Sequence, residues 1–517
     1  MRWAGSLVLC ALFAFPVGAS AQVQAKGYVF EDLNRNGVRD SGEPGIADVK
    51  VSNQHEFTKT DKSGFWTLKG TDDTIFFLVK PRNWMTPLNE FNLPQFHYIH
   101  KPNGSPPSLK TPGVEPTGPL PEFINFPLHR REETTWFRAL FFGDTQPRNA
   151  VEVDYLKRDI IEPLIEEAKK EKYSFGVTLG DLVFDDLSVF DPYIRAIALL
   201  GMPWYNVLGN HDINKDIPDD KLSDETFERL FGPNYYSFDH GPTHFVVLDN
   251  VFWYQNPQTN RGSYKGRFGE EQIAWLKKDL ALVPSDQLVV MMMHIPFQDT
   301  EDKEEMFKVI GDRPYCLSVS AHTHYQEHKF LESKHLKKPH HHVINVTTCG
   351  SWWQGRADDR GVPIATMRDG APNGFSVFTF DGNQYSIEFR AAGSPASHQM
   401  NIYAPDLLKR YEAEGTEIVV NVFGGNEKSV VEMKFGNDGE WIKMDKVMRA
   451  DPQYAKIAER DKDLKAPFRP LPGAIESPHL WAAKLPRPSS RGTIPVHIRT
   501  TDMFGQVYYA TRGIRIE

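Results

Sequence analysis

The sequence is short of cysteine, of long apolar runs and of surplus positive charge, and each shortage excludes a class of protein. Three cysteines in 517 residues cannot staple a disulfide scaffold. None has the spacing of a zinc knuckle or a redox pair. Cys10 lies in a short apolar run without a lipid-attachment context. Cys316 and Cys349 sit in apolar, strand-like runs; an oxidising compartment would let them pair, and two buried free thiols fit equally well. Formal net charge is −9 with a pI near 6.1, and no basic block stands out. That argues against nucleic acid as an electrostatically held partner. An anionic ligand would have to be drawn by local charge at a site rather than by the field of the whole protein. No apolar stretch is long enough to span a bilayer, so no transmembrane anchor is expected. The oligomeric state leaves no signature in the sequence.

What is present begins with an export signal. Arg2 supplies a positive end, residues 7–15 an apolar core, and Ala19, Ser20 and Ala21 a small-residue cleavage site before Gln22. Residues 1–21 are therefore expected to be a leader, and the mature protein to be soluble and secreted, either periplasmic or extracellular. The length implies several domains. Residues 22–92 read as a small N-terminal β domain, with short β-branched and aromatic runs between turns. Within it, Asp32, Asn34, Asn36, Val38, Asp40 and Glu43 fit the twelve-position calcium loop, Val38 through its carbonyl, with Gly37 at the sharp turn. The alternative is an Asn/Gly turn that bonds only its own backbone. The flanking strands make the loop unlike a regulatory EF-hand; it resembles the calcium-binding repeats of bacterial surface proteins. Residues 93–133, rich in Pro and Gly, read as an extended connector along the surface of the next domain. Residues 134–395 alternate strands with amphipathic helices, and 345–395 could instead belong to the C-terminal domain. Residues 396–517 are β-rich and read as a sandwich without catalytic groups.

The chemistry is concentrated in residues 134–395. Five short apolar runs each end in polar residues: Asp144 and Gln146; Gly180 and Asp181; Gly209, Asn210, His211 and Asp212; His294; His322 and His324. Buried strands that deliver acids, an amide and imidazoles at their carboxyl ends place metal-ligand types together. A single such strand end is ordinarily structural. Five in this order point to a metal centre with an acid–base group beside it.

The order D-x-Q, GD, GNHD, H, H-x-H resembles the calcineurin-like metallophosphoesterase superfamily over residues 138–325. The resemblance implies a layered α/β fold, with β-sheets flanked by helices, between an N-terminal small β-sandwich and a C-terminal β-rich domain. It implies a secreted bacterial type with dedicated flanking domains. Carried over position by position, Asp144, Gln146, Asp181 and His324 would hold one metal. Asp181 would bridge to a second held by Asn210, His294 and His322. His211 would face the substrate with Asp212 behind it. The ions would be two divalent or mixed-valence transition metals: manganese, iron, zinc or cobalt. Two positions depart from the pattern. Gln146 replaces the usual His, as in some diphosphate-cleaving members, and Ala321 replaces a Gly. Phe184 stands where purple acid phosphatases carry a Tyr ligand, so a tyrosinate-bound iron is not expected.

The resemblance implies an enzyme: a metal-dependent phosphoric ester hydrolase acting on a phosphodiester, diphosphate or phosphomonoester small molecule through metal-activated water. The alternative is a non-catalytic surface-binding or adhesion protein on the same fold. Trp352 and Trp353, in a loop rich in Gly, Asp and Pro, are candidates for a substrate platform, the alternative being that one or both cap the core. His340, His341 and His342, with Lys337, Lys338 and Pro339 before them, are expected in a solvated loop, since the ligand set is already complete.

Overall fold

The structure is a computed structural model describing residues 22–259, 261–311 and 313–517. The expected leader lies outside the described residues. The centre of the molecule is a pair of face-packed sheets. One runs in the order Trp204–Asn206, Gly176–Thr178, Trp136–Phe142, Gly374–Asp381, Gln384–Ala391, its first three strands parallel. The other runs Tyr236–His240, Thr243–Val247, Leu288–Met292, Cys316–Ser320, His340–Ile344, Glu327–Leu331, its four central strands parallel.

These strands read as continuous apolar runs because both of their faces are covered. Between the sheets, Phe141, Phe378, Phe245 and Val290 pack with no exposure. On the outer face of the first sheet, Leu140, Phe142 and Trp204 meet Leu156, Ile160, Tyr193 and Ile197 from the helical stretches. The parallel strands all point their carboxyl ends to one edge, and the polar motifs arrive there.

The N-terminal domain is a sandwich of two four-stranded sheets. It reaches further along the chain than its expected end at residue 92. His97–His100 pairs with Thr74–Leu78, and Phe126–Arg130 pairs with Val23–Glu31, so two strands lie inside the expected connector. The Pro-rich composition hid these short pairings. Between them the chain docks on the core domain: Lys101 and Ser105 both reach Glu225, and Arg229 Nε donates to the Pro112 carbonyl at 2.9 Å. The sandwich also packs on Trp275, which is buried against Phe57 and Phe77 and donates from Nε1 to Ser52 Oγ at 3.0 Å.

Residues 374–391 form a hairpin laid on Trp136–Phe142 within the first central sheet. The C-terminal unit is a sandwich of a four-stranded and a five-stranded sheet around Val420, Met433, Trp481, Val496 and Ile514. It includes a helix, Pro452–Arg460, that the sequence pattern does not announce.

The run His340–Ile344 is a buried strand, which corrects the expectation of a solvated loop. Its imidazoles are satisfied locally. Ser318 Oγ lies 2.7 Å from both His340 Nε2 and His342 Nδ1, and His341 joins His328 Nε2-to-Nδ1 at 3.0 Å and the Tyr385 hydroxyl at 2.6 Å. Burial holds them neutral, with His340 pushed down to about 3 and His328 to about 4. Histidine alternating with Ser and Tyr partners can fill a core position that composition alone assigns to solvent.

Candidate metal centre

Five strand ends converge. Asp144, Asp181, Asn210, His294 and His324 are all at most 2% exposed. Their loops turn through backbone conformations that side chains rarely adopt. Asp144, Gln146, Asp181, Asp185, His322 and His324 all have φ between 35° and 74°. Such a concentration of left-handed non-glycine residues stores strain, which the surrounding sheets hold in place. Two glycines make room: a Cβ on Gly180 would lie 2.4 Å from His294 Nδ1, and one on Gly209 would lie 2.0 Å from the Asp181 nitrogen. Ala321 needs no glycine, because its own φ is ordinary and the facing residue is Gly143.

The side chains form one continuous cluster. Asp181 Oδ2 accepts from Gln146 Nε2 at 2.8 Å, and Asp181 Oδ1 accepts from the His211 backbone N–H at 2.9 Å and lies 3.3 Å from His294 Nε2. His294 Nε2 is 3.0 Å from Asn210 Oδ1 and 3.1 Å from His322 Nδ1. Asp144 Oδ2 accepts from the His322 N–H at 2.9 Å, and its Oδ1 lies 3.8 Å from His324 Nε2. Two backbone carbonyls fix tautomers: His294 Nδ1 donates to Leu179 O at 2.9 Å and His324 Nδ1 to Gly350 O at 2.6 Å, which turns each Nε2 towards the cluster.

Electrostatics pull these groups apart. Burial pushes Asp144 well above the usual carboxylate range. For Asp181 burial acts the same way, but His294, His211 and His322 outweigh it and hold the carboxyl well below that range. Burial lowers His294, yet Asp181 and Asp144 raise it to about 9, whereas burial takes His322 to about 4 and His324 to about 3.

The donor set fits metal ions. Asp144 Oδ1 is buried with no hydrogen-bond partner, and Asp181, His294 and His322 offer ligand atoms within 4.8 Å of one another. Unpaired lone pairs facing each other in a dry site are costly unless a cation lies among them. All donors are nitrogen or oxygen, the set for borderline transition metals. Gln146 presents its amide nitrogen to Asp181 and its oxygen to Cys349 Sγ at 3.9 Å; an amide turned by 180° would present the oxygen instead.

Two expectations require correction. Asp212 does not stand behind the His211 ring. Its carboxylate is wholly buried and accepts from the backbone N–H groups of Leu182, Val183 and Gly209 at 3.1, 3.1 and 2.9 Å, tying the two motif loops together. The partner of His211 is Asp185, whose Oδ1 is 2.7 Å from Nδ1 and also takes Lys215 Nζ. Asp185 and Lys215 each lie four residues past a motif residue, which is the only trace they leave in the sequence. Trp353 is 2% exposed and donates from Nε1 to the Thr145 carbonyl at 2.9 Å, so it caps the core instead of forming a platform. Trp352 alone stays at the mouth, stacked on His324 at 3.8 Å.

Two further rings lie at the site, and only Tyr264 had no signal in the sequence. Phe184 stacks on His211 at 4.4 Å, and Tyr264, from the hairpin Val251–Asn256 and Arg261–Gly266, sets its edge on His322 at 5.9 Å. Cys316 and Cys349 are both free thiols. In the calcium-type loop the oxygens are taken up locally: Asp32 accepts from Asn36 and Gly37, and Glu43 from Leu33 and Asp40. Asp40 accepts from Asn34 and Asn36 at 2.7 and 2.8 Å.

A buried N/O ligand cluster lies at the carboxyl edge of a layered α/β sandwich with an imidazole beside it, an arrangement suited to metal-dependent hydrolysis. Residues 137–326 match the profile described as Calcineurin-like phosphoesterase, and residues 341–508 match the C terminal of Calcineurin-like phosphoesterase. The chain belongs to the calcineurin-like phosphoesterases, whose site is dinuclear. Among solved structures it is similar to a dimetal phosphatase from Danio rerio, with 13% identity over 49% of this chain and 96% of that one, at a TM-score of 0.35. It is also similar to the purple acid phosphatase PPD1 from yellow lupin, Lupinus luteus, with 14% identity over 72% of each chain and the same TM-score of 0.35. No curated protein matches the chain.

Proposed function

We propose that this phosphoesterase is exported and cleaves a phosphodiester or diphosphate in preference to a simple monoester. The observation that carries the preference is the aromatic collar. Trp352, Tyr264 and Phe184 each set a ring against one of the site histidines, His324, His322 and His211. A collar of that kind favours an organic group on the phosphate over free water. Export is supported by the sequence of residues 1–21, and no described helix is long and apolar enough to cross a membrane.

In this reading Asp144, Gln146, Asp181 and His324 hold one ion, and Asp181, Asn210, His294 and His322 hold the other; manganese, iron, zinc and cobalt all suit the donors. Bound there, two metals supply charge neutralisation of the phosphate and a water of lowered pKa. The protein's own groups do the rest. Asp181 can bridge because a carboxylate has two oxygens. His211, held by Asp185 and Phe184, presents its other ring nitrogen to the leaving oxygen and gives it a proton. Trp352 and Tyr264 orient the esterified group. The substrate in this reading is a small molecule, with no nucleic acid as partner and no transmembrane anchor. Calcium in the loop at residues 32–43 is a structural addition remote from this chemistry.

The test is a hydrolysis panel with metal-reconstituted protein: aryl monoester, aryl diester, nucleotide diphosphate and phospholipid head-group esters. The diester and diphosphate are expected to show the higher kcat/KM. A panel led by the monoester overturns the preference.

A further inference from the structure

Arg148 lies just past Gln146, before the helix that opens at Ala150–Leu156. Its guanidinium lies over the Phe184 ring at 4.0 Å, and the same ring stacks with His211 at 4.4 Å. Among the described residues it donates to none, and its Nε is shut off from solvent without a partner. The carboxylate that would ordinarily answer it is already engaged. Glu152 Oε2 accepts from the Arg148 backbone N–H at 2.9 Å, and Glu152 Oε1 accepts from Arg469 Nη2 at 2.9 Å. Arg469 comes from the C-terminal part of the chain and also donates to the Trp352 carbonyl at 2.7 Å. Glu152 is thus taken up by the Arg148 backbone N–H and the Arg469 guanidinium, and among the described residues the Arg148 guanidinium is left without a hydrogen-bonded carboxylate at the rim of the metal centre. A guanidinium stays protonated at any working pH. A positive charge with idle donors, half buried beside an anion site, is costly unless an anion completes it.

We propose that Arg148 is the receptor for a second phosphoryl group, so that the substrate is a diphosphate and not an ester of a single phosphate. This narrows the phosphoesterase reading above and rests on it. The guanidinium and the imidazole each pack on the Phe184 ring and no hydrogen bond joins them among the described residues, so in this proposal they take different phosphoryl groups. A group held by Arg148 is the next one along from the phosphate that faces His211. The planar fork of arginine suits a terminal or bridging phosphoryl group through paired N–H···O bonds. Arg469 fixes Glu152 and the Trp352 loop, which gives the C-terminal sequence a part in shaping this subsite.

The test uses the full-length, metal-loaded protein and calorimetric binding of methylenediphosphonate and orthophosphate, alongside kcat/KM for a nucleoside diphosphate ester and bis(4-nitrophenyl) phosphate. Arg148→Ala is expected to weaken methylenediphosphonate by roughly ten- to a hundredfold, the loss typical of charged hydrogen bonds. Orthophosphate and the aryl diester should lose at least tenfold less. Arg148→Lys should recover only part, because a point charge lacks the fork. Equal losses on both classes of ligand, or no loss on either, overturn the inference. A wild-type protein that turns over the aryl diester but binds diphosphonate no better than orthophosphate also overturns it, with the phosphoesterase reading left standing. A wild-type protein inactive on the whole panel instead defeats that underlying reading.

Discussion

His211 and its neighbours show how much chemistry a few side chains settle. An imidazole clamped between Asp185 and the Phe184 ring can deliver a proton to a departing oxygen, worth typically 10²–10⁴-fold. An alkoxide needs that proton and a nitrophenolate hardly does. His211→Ala should therefore slow alkyl esters severely and nitrophenyl esters much less, with metal content preserved by elemental analysis. Asp185→Asn should show the same dependence on leaving group in milder form, since it removes the orienting charge and keeps the ring. Asp212→Asn should behave differently. It turns one of the two acceptor oxygens into an NH2, so one or two of the three buried N–H groups lose their partner, and the expected result is a loss of about 1–3 kcal/mol in urea unfolding, with whatever activity remains independent of the leaving group. Asp181→Asn should abolish turnover and loosen both metals; full activity with two ions bound would remove it as the bridge.

At the level of elements, the strand His340–Ile344 carries a pH signature. Its histidines, with His328, are neutral in the folded protein because burial lowers them, His340 to about 3 and His328 to about 4 from an ordinary 6.5. The unfolded chain binds protons first as pH falls, so the stability present above pH 6.5 is lost progressively towards pH 3–4. The slope is about 1.4 kcal/mol per pH unit for each such histidine. Urea unfolding at pH 7, 6 and 5 checks this, and a flat profile would mean that the strand accepts protons while folded. The loop at residues 32–43 makes a separate prediction. Asp32 and Glu43 are buried and bond the loop's own N–H groups, so a calcium ion would have to displace those bonds, and melting tests whether it does. Calcium should raise the melting temperature of the parent protein and not that of the Asp32→Ala, Glu43→Ala double variant, with hydrolysis the same in both.

Across the whole molecule, the C-terminal sandwich is keyed into the site by a buried polar chain. His479 Nε2 lies 3.0 Å from Asp369 Oδ2, which also accepts from the Gln326 N–H at 2.8 Å, just past the loop that carries His322 and His324. His479 Nδ1 lies 2.7 Å from Asn421 Oδ1, and Asn421 donates on to Asp451 at 2.8 Å. Asp369→Ala should therefore lower stability and activity together, by calorimetry and by kcat, although Asp369 touches no ligand. Separate melting of the two units with full activity would show that they are independent.

The family, the layered core and the cluster at its edge follow from chain order, because each motif comes directly behind the strand that positions it. Local order along the chain is enough when a residue's place is set by the strand just before it. Tertiary structure alone decided the partner of His211, the fate of the two tryptophans and the burial of the histidine strand. It also decided that strands within residues 93–133 complete the N-terminal sandwich. In each of these the deciding contact joins residues far apart in the chain, or a side chain whose polarity is answered only after packing. Asp212 adjoins His211 in sequence, but two motif loops offer it three N–H donors, and a buried carboxylate goes where its hydrogen bonds are.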